Sequence, residues 1–153
     1  MDLSMNSEVM FSSKTDMWET PQDLFDELDK EFHFIVDVCA IPENAKCNKF
    51  YTPEDDGLSK DWDETSWCNP PYGRKIGEWV RNAYYQSAQF GSTIVMLLPA
   101  RTDTKWFHDY IYQKDWGEIR FIRGRLKFGC SKNSAPFPSM VAIFKGHWFR
   151  GEL

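Results

Sequence analysis

The spacing of apolar residues along the chain switches between two periods, one typical of helices and one typical of buried strands. Segments 20–32, 76–88 and 105–112 carry apolar residues at helical spacing, so each predicts a helix. The first of these is expected to begin with Thr20 as N-cap and Pro21 at the first helical position. Its apolar face consists of Leu24, Phe25, Leu28 and Phe32.

Short apolar runs between these segments predict strands. They lie at residues 34–40, 49–52, 66–68, 93–98, 118–128 and 140–144. Strands that alternate with helices predict an α/β fold around a mostly parallel sheet, in which ligands bind beyond the carboxyl ends of the strands. Asp37, Asn69 and Pro99 each lie where a predicted strand ends, so we expect a binding site at that edge.

Length and composition indicate one globular domain. The chain has 153 residues, of which 42% are hydrophobic and 27% charged, as in ordinary folded proteins. We expect a flexible arm at residues 1–12 and a single domain at residues 13–153. There is no apolar run long enough for a membrane span and no signal-peptide pattern, so a cytoplasmic protein is expected.

The net charge of −5 hides an uneven distribution. Residues 1–69 contain 5 Lys/Arg and 17 Asp/Glu, whereas residues 70–153 contain 13 Lys/Arg and 6 Asp/Glu. The C-terminal half, with a net charge of +7, is therefore the half that could face a polyanion such as a nucleic acid.

The four cysteines do not form a metal-binding pattern. No Cys-x-x-Cys pair occurs, and the spacing of His33, Cys39 and Cys47 is too loose for a zinc site. We expect free thiols and no metal.

The clearest chemical motif is Asn69-Pro70-Pro71-Tyr72, which follows a predicted strand and precedes a predicted helix. The Asn69 side-chain oxygen and the Pro70 carbonyl could accept hydrogen bonds from the two hydrogens of a planar amine and stabilise positive charge that develops on its nitrogen. The two prolines restrict the backbone and so hold the carbonyl in place. Tyr72 offers a ring on which an extruded base could stack.

This motif resembles that of S-adenosylmethionine-dependent amino-methyltransferases. The wider text, including WETPQDLFDELDKEFHFIVDVCA, CNPPYG, LLPARTDTKWFHDYI and APFPSMVAIF, is similar to the phage-type DNA N6-adenine methyltransferase family from about Trp18 to Phe144. The resemblance implies a Rossmann-like methyltransferase fold with a mostly parallel sheet, an antiparallel C-terminal hairpin and helices on both faces. It also implies methyl transfer from S-adenosylmethionine to adenine N6 in double-stranded DNA, in a bacterial host's cytoplasm if the chain is phage- or prophage-encoded.

The resemblance also implies site residues. Asn69, Pro70, Pro71 and Tyr72 match the catalytic motif, and Trp18, Thr20 and Pro21 resemble a segment that helps hold the methionine end of the cofactor. Asp37, Cys39 and Ala40 stand where larger relatives have a glycine-rich cofactor loop, although no Gly-x-Gly occurs here. A carboxylate at Asp37 would suit the cofactor's ammonium group.

An acid that binds the cofactor's ribose is expected after the second strand. Asp55, Asp56 and Asp61 qualify by position. We favour Asp56, which precedes Gly57 in a predicted turn, and keep Asp61 as a further candidate.

Basic residues of the C-terminal half are candidates for contact with DNA, because lysine and arginine bind phosphates well. These are Arg74, Lys75, Arg101, Lys105, Arg120, Arg123, Arg125 and Lys127. Phe128 and Phe137 could form a second wall of the base pocket.

We expect no separate target-recognition domain in 153 residues, which favours a short DNA site and either a monomer or a homodimer. Other substrates remain open, because cytosine N4, RNA bases and glutamine amides also present planar nitrogens. An inactive relative that only binds cofactor or DNA is the remaining alternative.

Overall fold

The computed structural model describes residues 18–129 and 131–146; the predicted arm at residues 1–12 lies outside this part of the chain. It contains one six-stranded sheet in the order β2-β1-β3-β4-β6-β5. The strands are β1 (Val36–Asp37), β2 (Lys49–Phe50), β3 (Ser66–Cys68), β4 (Ile94–Pro99), β5 (Gly117–Phe121) and β6 (Ser139–Phe144). The first four run parallel, and β6 is antiparallel to both β4 and β5. The predicted mostly parallel sheet with an antiparallel C-terminal hairpin is confirmed.

The described residues also form three α-helices and one short 3₁₀ turn; the first helix precedes β1, and the other elements lie between strands. These elements are α1 (Gln22–Phe32), α2 (Ile76–Phe90), α3 (Lys105–Tyr110) and the 3₁₀ turn Gly57–Ser59. Helix α1 buries Phe25 and Leu28, and α2 buries a longer stripe that includes Trp79, Val80 and Ala83. No helix in the described ranges is long and apolar enough to cross a membrane.

The core lies around the centre of the sheet. Every residue of β4 and every residue of β6 is buried, so both faces of the sheet are covered there. This explains why these strands read as continuous apolar runs rather than as alternating ones.

Three predicted strands are shorter than expected, and the one predicted at residues 49–52 is reduced to β2. The first, predicted at residues 34–40, is reduced to β1, although the Val38 N–H still donates to the Trp67 carbonyl. Beyond β1, the Cys39 N–H donates to the Asp37 carboxylate, at 3.2 Å, rather than to a neighbouring strand, and the Lys46 N–H donates to the same carboxylate at 3.0 Å. The strand predicted at residues 118–128 ends at Phe121, and Gly124 then adopts a positive φ of 76° in the connection that leads to β6.

The predicted N-cap is wrong. Helix α1 begins one residue later than predicted. Pro21 is its N-cap residue, and no side chain caps it. The Thr20 hydroxyl instead accepts a hydrogen bond from the Asn69 side chain at 3.0 Å, so a contact between distant segments replaces the local cap.

Candidate active site

The carboxyl ends of β1 and β3 meet at one edge of the sheet, as the sequence predicts. Asp37 closes β1 and pairs in register with Trp67 of β3, and Asn69 directly follows β3. Asp37 and Asn69 line the same small pocket. The parallel topology therefore unites two residues that are 32 positions apart in the sequence.

The larger pocket at this edge has a volume of about 320 Å³, a size typical of small-molecule sites. Its walls are mainly apolar and are formed by Val38, Cys39, Ala40, Tyr51, Thr52, Pro53, Asp56, Gly57, Leu58, Pro71, Gly73, Arg74, Lys75 and Trp79. Four predicted site residues, Cys39, Ala40, Asp56 and Pro71, are thus brought together. Arg74 and Lys75, which we expected at the DNA surface, also line this pocket.

The three candidate acids after β2 have different surroundings. The Asp56 side chain belongs to the wall of the larger pocket. Asp55 accepts hydrogen bonds from the backbone N–H and the hydroxyl of Thr52, and these bonds lower the pKa of its carboxyl. Asp61 lines neither pocket and is exposed. The chain is anchored beside it by the buried Trp62, whose indole N–H donates to the Gly57 carbonyl at 2.9 Å.

The smaller pocket, of about 20 Å³, adjoins the larger one through Cys39. It is lined by Trp18, Glu19, Thr20, Asp37, Cys39, Asn44, Lys46, Trp67 and Asn69. Trp18 and Thr20 therefore lie where the resemblance implies, whereas Pro21 caps helix α1 and lines neither pocket. Lys46 was not predicted as a site residue. It lies in the connection between β1 and β2, and its positive charge is the only signal in the sequence that could have indicated it.

Asp37 and Lys46 both line the smaller pocket. The Lys46 ammonium donates to the Gln22 side chain at 2.8 Å, and its backbone N–H donates to Asp37. Burial raises the pKa of the Asp37 carboxyl to about 6, although the two backbone N–H donors oppose that shift. Burial also raises the pKa of the Cys39 thiol to about 12, so this thiol stays protonated and is no nucleophile.

The Asn69 side chain has one satisfied end and one unsatisfied end. Its Nδ2 donates to the carbonyl oxygen of Trp18 and to the Thr20 hydroxyl. Its Oδ1 is buried and has no hydrogen-bond partner. A buried acceptor without a partner is uncommon and costs free energy, so the hydrogen-bonding capacity of this oxygen is unused within the protein.

Tyr72 is less open than the stacking role requires. Its hydroxyl donates to the Leu97 carbonyl at 2.9 Å, and the residue is only 5% exposed. The rings of Phe128 and Phe137 pack against it with centroids 6.2 and 5.7 Å away, and both also contact Trp18. Both predicted wall residues are therefore at the site, but they occupy the space beside Tyr72.

The basic candidates divide into free and paired side chains. Arg101, Arg123 and Lys127 are exposed, as is Arg125, which donates weakly to the Ala135 carbonyl at 3.4 Å. Lys105 forms an ion pair of 2.5 Å with Asp109 on its own helix. This pair accounts for a lysine at this position without a contact to DNA.

Arg120 is paired with acids of the protein. It makes two bonds of 2.7 Å to Glu31 and one of 2.5 Å to Glu118. Contact between Arg120 and DNA stays a prediction. Among the described residues, no group of three or more His, Cys, Asp or Glu side chains could hold a metal ion.

Comparison with known proteins identifies the family. The model of the DNA N-6-adenine-methyltransferase (Dam) family matches residues 7–147. A DNA N-6-adenine-methyltransferase of Haemophilus phage HP1 is 39% identical over 143 residues, which cover 87% of this chain and 80% of the relative. A DNA N-6-adenine-methyltransferase of Escherichia phage T1 is 36% identical over 134 residues, which cover 86% of this chain and 55% of the relative. With a match across nearly its whole length, the chain belongs to the Dam family of DNA N-6-adenine-methyltransferases.

Proposed function

We propose that this protein transfers a methyl group from S-adenosylmethionine to N6 of an adenine extruded from double-stranded DNA. Family membership supports the reaction class. The observation that carries the site assignment is the buried, unpartnered Oδ1 of Asn69, which begins the Asn-Pro-Pro-Tyr motif.

We assign the two adjoining pockets to the two ends of the cofactor. Asp37 and Lys46 both line the smaller pocket, so we assign the Asp37 carboxylate to the cofactor's ammonium group and the Lys46 ammonium to its carboxylate. The apolar wall of the larger pocket suits an adenine ring, and Asp56 suits ribose hydroxyls. When bound there, the cofactor supplies an electrophilic methyl group.

Asn69 and Pro70 act on the target amine. The nitrogen of an exocyclic amine is a poor nucleophile because its lone pair is delocalised into the ring. An acceptor placed on each N–H favours a pyramidal nitrogen and stabilises the positive charge that grows as the nitrogen attacks. Asn69 Oδ1 and the Pro70 carbonyl are the two acceptors that we assign to this role.

Four exposed cations support DNA contact on the C-terminal half: Arg101, Arg123, Arg125 and Lys127. The last three lie in the connection from β5 to β6, which also carries Phe128 and Phe137. We assign this connection to the DNA-facing side.

Mass spectrometry of nucleosides tests the proposal. Duplex DNA, RNA and a glutamine-containing peptide are each incubated with the protein and S-adenosylmethionine, and we expect N6-methyladenine from DNA alone. N4-methylcytosine, or a methylated RNA or peptide, would support the corresponding alternative, and no product from any substrate would support an inactive binder.

The variant Asn69→Ala tests the site within the same assay. Loss of one preorganised acceptor is expected to lower kcat by about 10²–10³, while the affinity for S-adenosylmethionine, measured by calorimetry, stays within a few-fold. The exposed Asn48→Ala serves as the control. Full activity in Asn69→Ala would remove Asn69 from the site.

A further inference from the structure

The Asn69 amide is held from a single short segment that precedes helix α1. Its nitrogen donates to the Trp18 carbonyl and, at 3.0 Å, to the Thr20 hydroxyl. A carbonyl oxygen can only accept hydrogen bonds, so the amide nitrogen and not the amide oxygen must face Trp18. The orientation of the amide is therefore fixed by chemistry.

We propose that Thr20 is a positioning residue for methyl transfer, which acts by holding the Asn69 amide so that Oδ1 faces the target amine. This inference rests on the proposed function of Asn69. With one amide hydrogen on Trp18 and the other on Thr20, both donors are used inside the protein and only the acceptor remains for the substrate.

The Thr20 hydroxyl is itself held firmly. The residue is only 4% exposed. The neighbouring Glu19 carbonyl accepts a hydrogen bond of 2.9 Å from the Gly129 N–H, which ties this segment to the connection between β5 and β6. Because this segment is fixed at both places, the Thr20 hydroxyl can hold the Asn69 amide in one orientation. Methyl transfer requires such precise placement of the reacting groups.

A direct cofactor contact is the competing explanation, because Thr20 lines the smaller pocket together with Asp37. The two explanations differ in what they change. A cofactor contact affects the affinity for S-adenosylmethionine, whereas a positioning contact affects kcat and leaves that affinity intact.

The test compares Thr20→Val, which removes the hydroxyl but keeps the branched shape, with Thr20→Ser, which keeps the hydroxyl. We expect Thr20→Val to lower kcat about tenfold, the equivalent of one hydrogen bond. The dissociation constant of S-adenosylmethionine and the KM for DNA should stay within twofold. Thr20→Ser should recover at least half of kcat, and Thr93→Val, before β4 at the opposite edge of the sheet, controls for the substitution itself.

A double variant connects the effect to Asn69. In an Asn69→Ala background, Thr20→Val should cause no further loss of the residual rate, because the group that it positions is absent. If Thr20→Val lowers the melting temperature, Thr20→Ala provides a second hydroxyl-free variant, and its kcat is compared with that of Thr20→Ser.

Three results would overturn the inference: equal kcat in Thr20→Val and Thr20→Ser, a loss confined to the affinity for S-adenosylmethionine, or additive losses in the double variant. Full activity of Thr20→Val beside an inactive Asn69→Ala would reject positioning and leave the proposed function standing. Full activity of Asn69→Ala would instead reject the site itself.

Discussion

At the scale of single residues, the site is built from polar groups that the fold buries without fully satisfying. Asn69 keeps an unpartnered oxygen, and Asp37 is 2% exposed with only two backbone N–H groups as partners. Such groups cost stability in the absence of a ligand. A ligand of matching charge and hydrogen-bonding pattern would satisfy these groups and so offset this loss of stability.

Asp37 should make cofactor binding pH-dependent. Its raised pKa of about 6 means that the carboxyl is neutral below this pH and negative above it. A ligand ammonium prefers the negative form, so the affinity for S-adenosylmethionine should fall as the pH drops through about 6. Asp37→Asn should bind roughly 10- to 100-fold more weakly at pH 8, where a hydrogen bond to a charged group is lost, and should show little of this pH dependence.

Calorimetry at several pH values checks this expectation, with the exposed Asp63→Asn as the control. A wild-type affinity that does not change between pH 5 and pH 8 would show that Asp37 does not face the ammonium group.

Asp56 and Asp61 offer a matched comparison of the two acids that the sequence left as candidates. Asp56 has a φ of 57°, which asparagine also tolerates, so Asp56→Asn should preserve the backbone. It should weaken cofactor binding about tenfold through loss of charge at the pocket wall. Asp61→Asn should bind like the wild type, since Asp61 lines neither pocket. Equal losses in the two variants would contradict the assignment.

At the scale of elements, the 3₁₀ turn at Gly57–Ser59 forms one wall of the larger pocket. A Cβ atom at Gly57 would lie 2.1 Å from the Val38 carbonyl oxygen and 3.3 Å from the Trp79 ring. No side chain fits there, because the first contact is with backbone rather than with a flexible side chain. The close approach of this turn to the end of β1 therefore depends on glycine.

Gly57→Ala should lower the free energy of unfolding by about 1–3 kcal/mol, as overpacking does, and should weaken cofactor binding because the pocket wall must move. Gly77→Ala is the control: its Cβ would make ordinary contacts of 3.6–3.9 Å with Trp106, and alanine favours the helix. Urea unfolding of both variants checks the contrast. Equal stability of Gly57→Ala and wild type would mean that the turn relaxes freely.

Sequence patterns predicted those features of the candidate site that depend on neighbouring residues. They did not predict the features that depend on contacts between residues far apart in the sequence. Strand ends at Asp37 and Asn69 follow from apolar runs and the geometry of parallel sheets. Asp61 lines neither pocket and precedes the buried Trp62, and one partner of Arg120 lies 89 residues away at Glu31. Neither of these relationships leaves a periodic or spacing signal in the sequence.

At the scale of the whole molecule, charge is distributed so that the C-terminal half can meet a polyanion. Some of the acidic side chains form ion pairs within the protein. Glu31 and Glu118, for example, both bind Arg120. The exposed arginines and lysines of the connection from β5 to β6 are thereby left to set the local potential, even though the net charge is −5.

DNA affinity should therefore fall steeply with salt. Each phosphate contact releases counterions and contributes about −0.9 to the slope of log K against log salt, so four to six contacts give roughly −3.6 to −5.4. Reversing the charge of Arg123 and Arg125 together should weaken binding and flatten the slope by about 1.8. The double variant Lys30→Glu/Lys49→Glu, which reverses two exposed cations of the N-terminal half, controls for net charge, and fluorescence anisotropy across a salt series measures all three. A flat wild-type profile would argue against a polyanion as partner.

The aromatic cover over Tyr72 bears on which molecules can serve as substrate. Tyr72 is 5% exposed and packs against Phe128 and Phe137, so we expect a base that stacks on Tyr72 to exchange one set of ring contacts for another. A free nucleoside brings a single stacking partner and little else to offset this rearrangement. A polymer also brings phosphates to Arg123, Arg125 and Lys127, which lie in the same connection as the two rings. The packing of Phe128 and Phe137 against Tyr72 thus favours adenine in a nucleic-acid strand over the free nucleoside. This preference does not depend on the base sequence around the adenine.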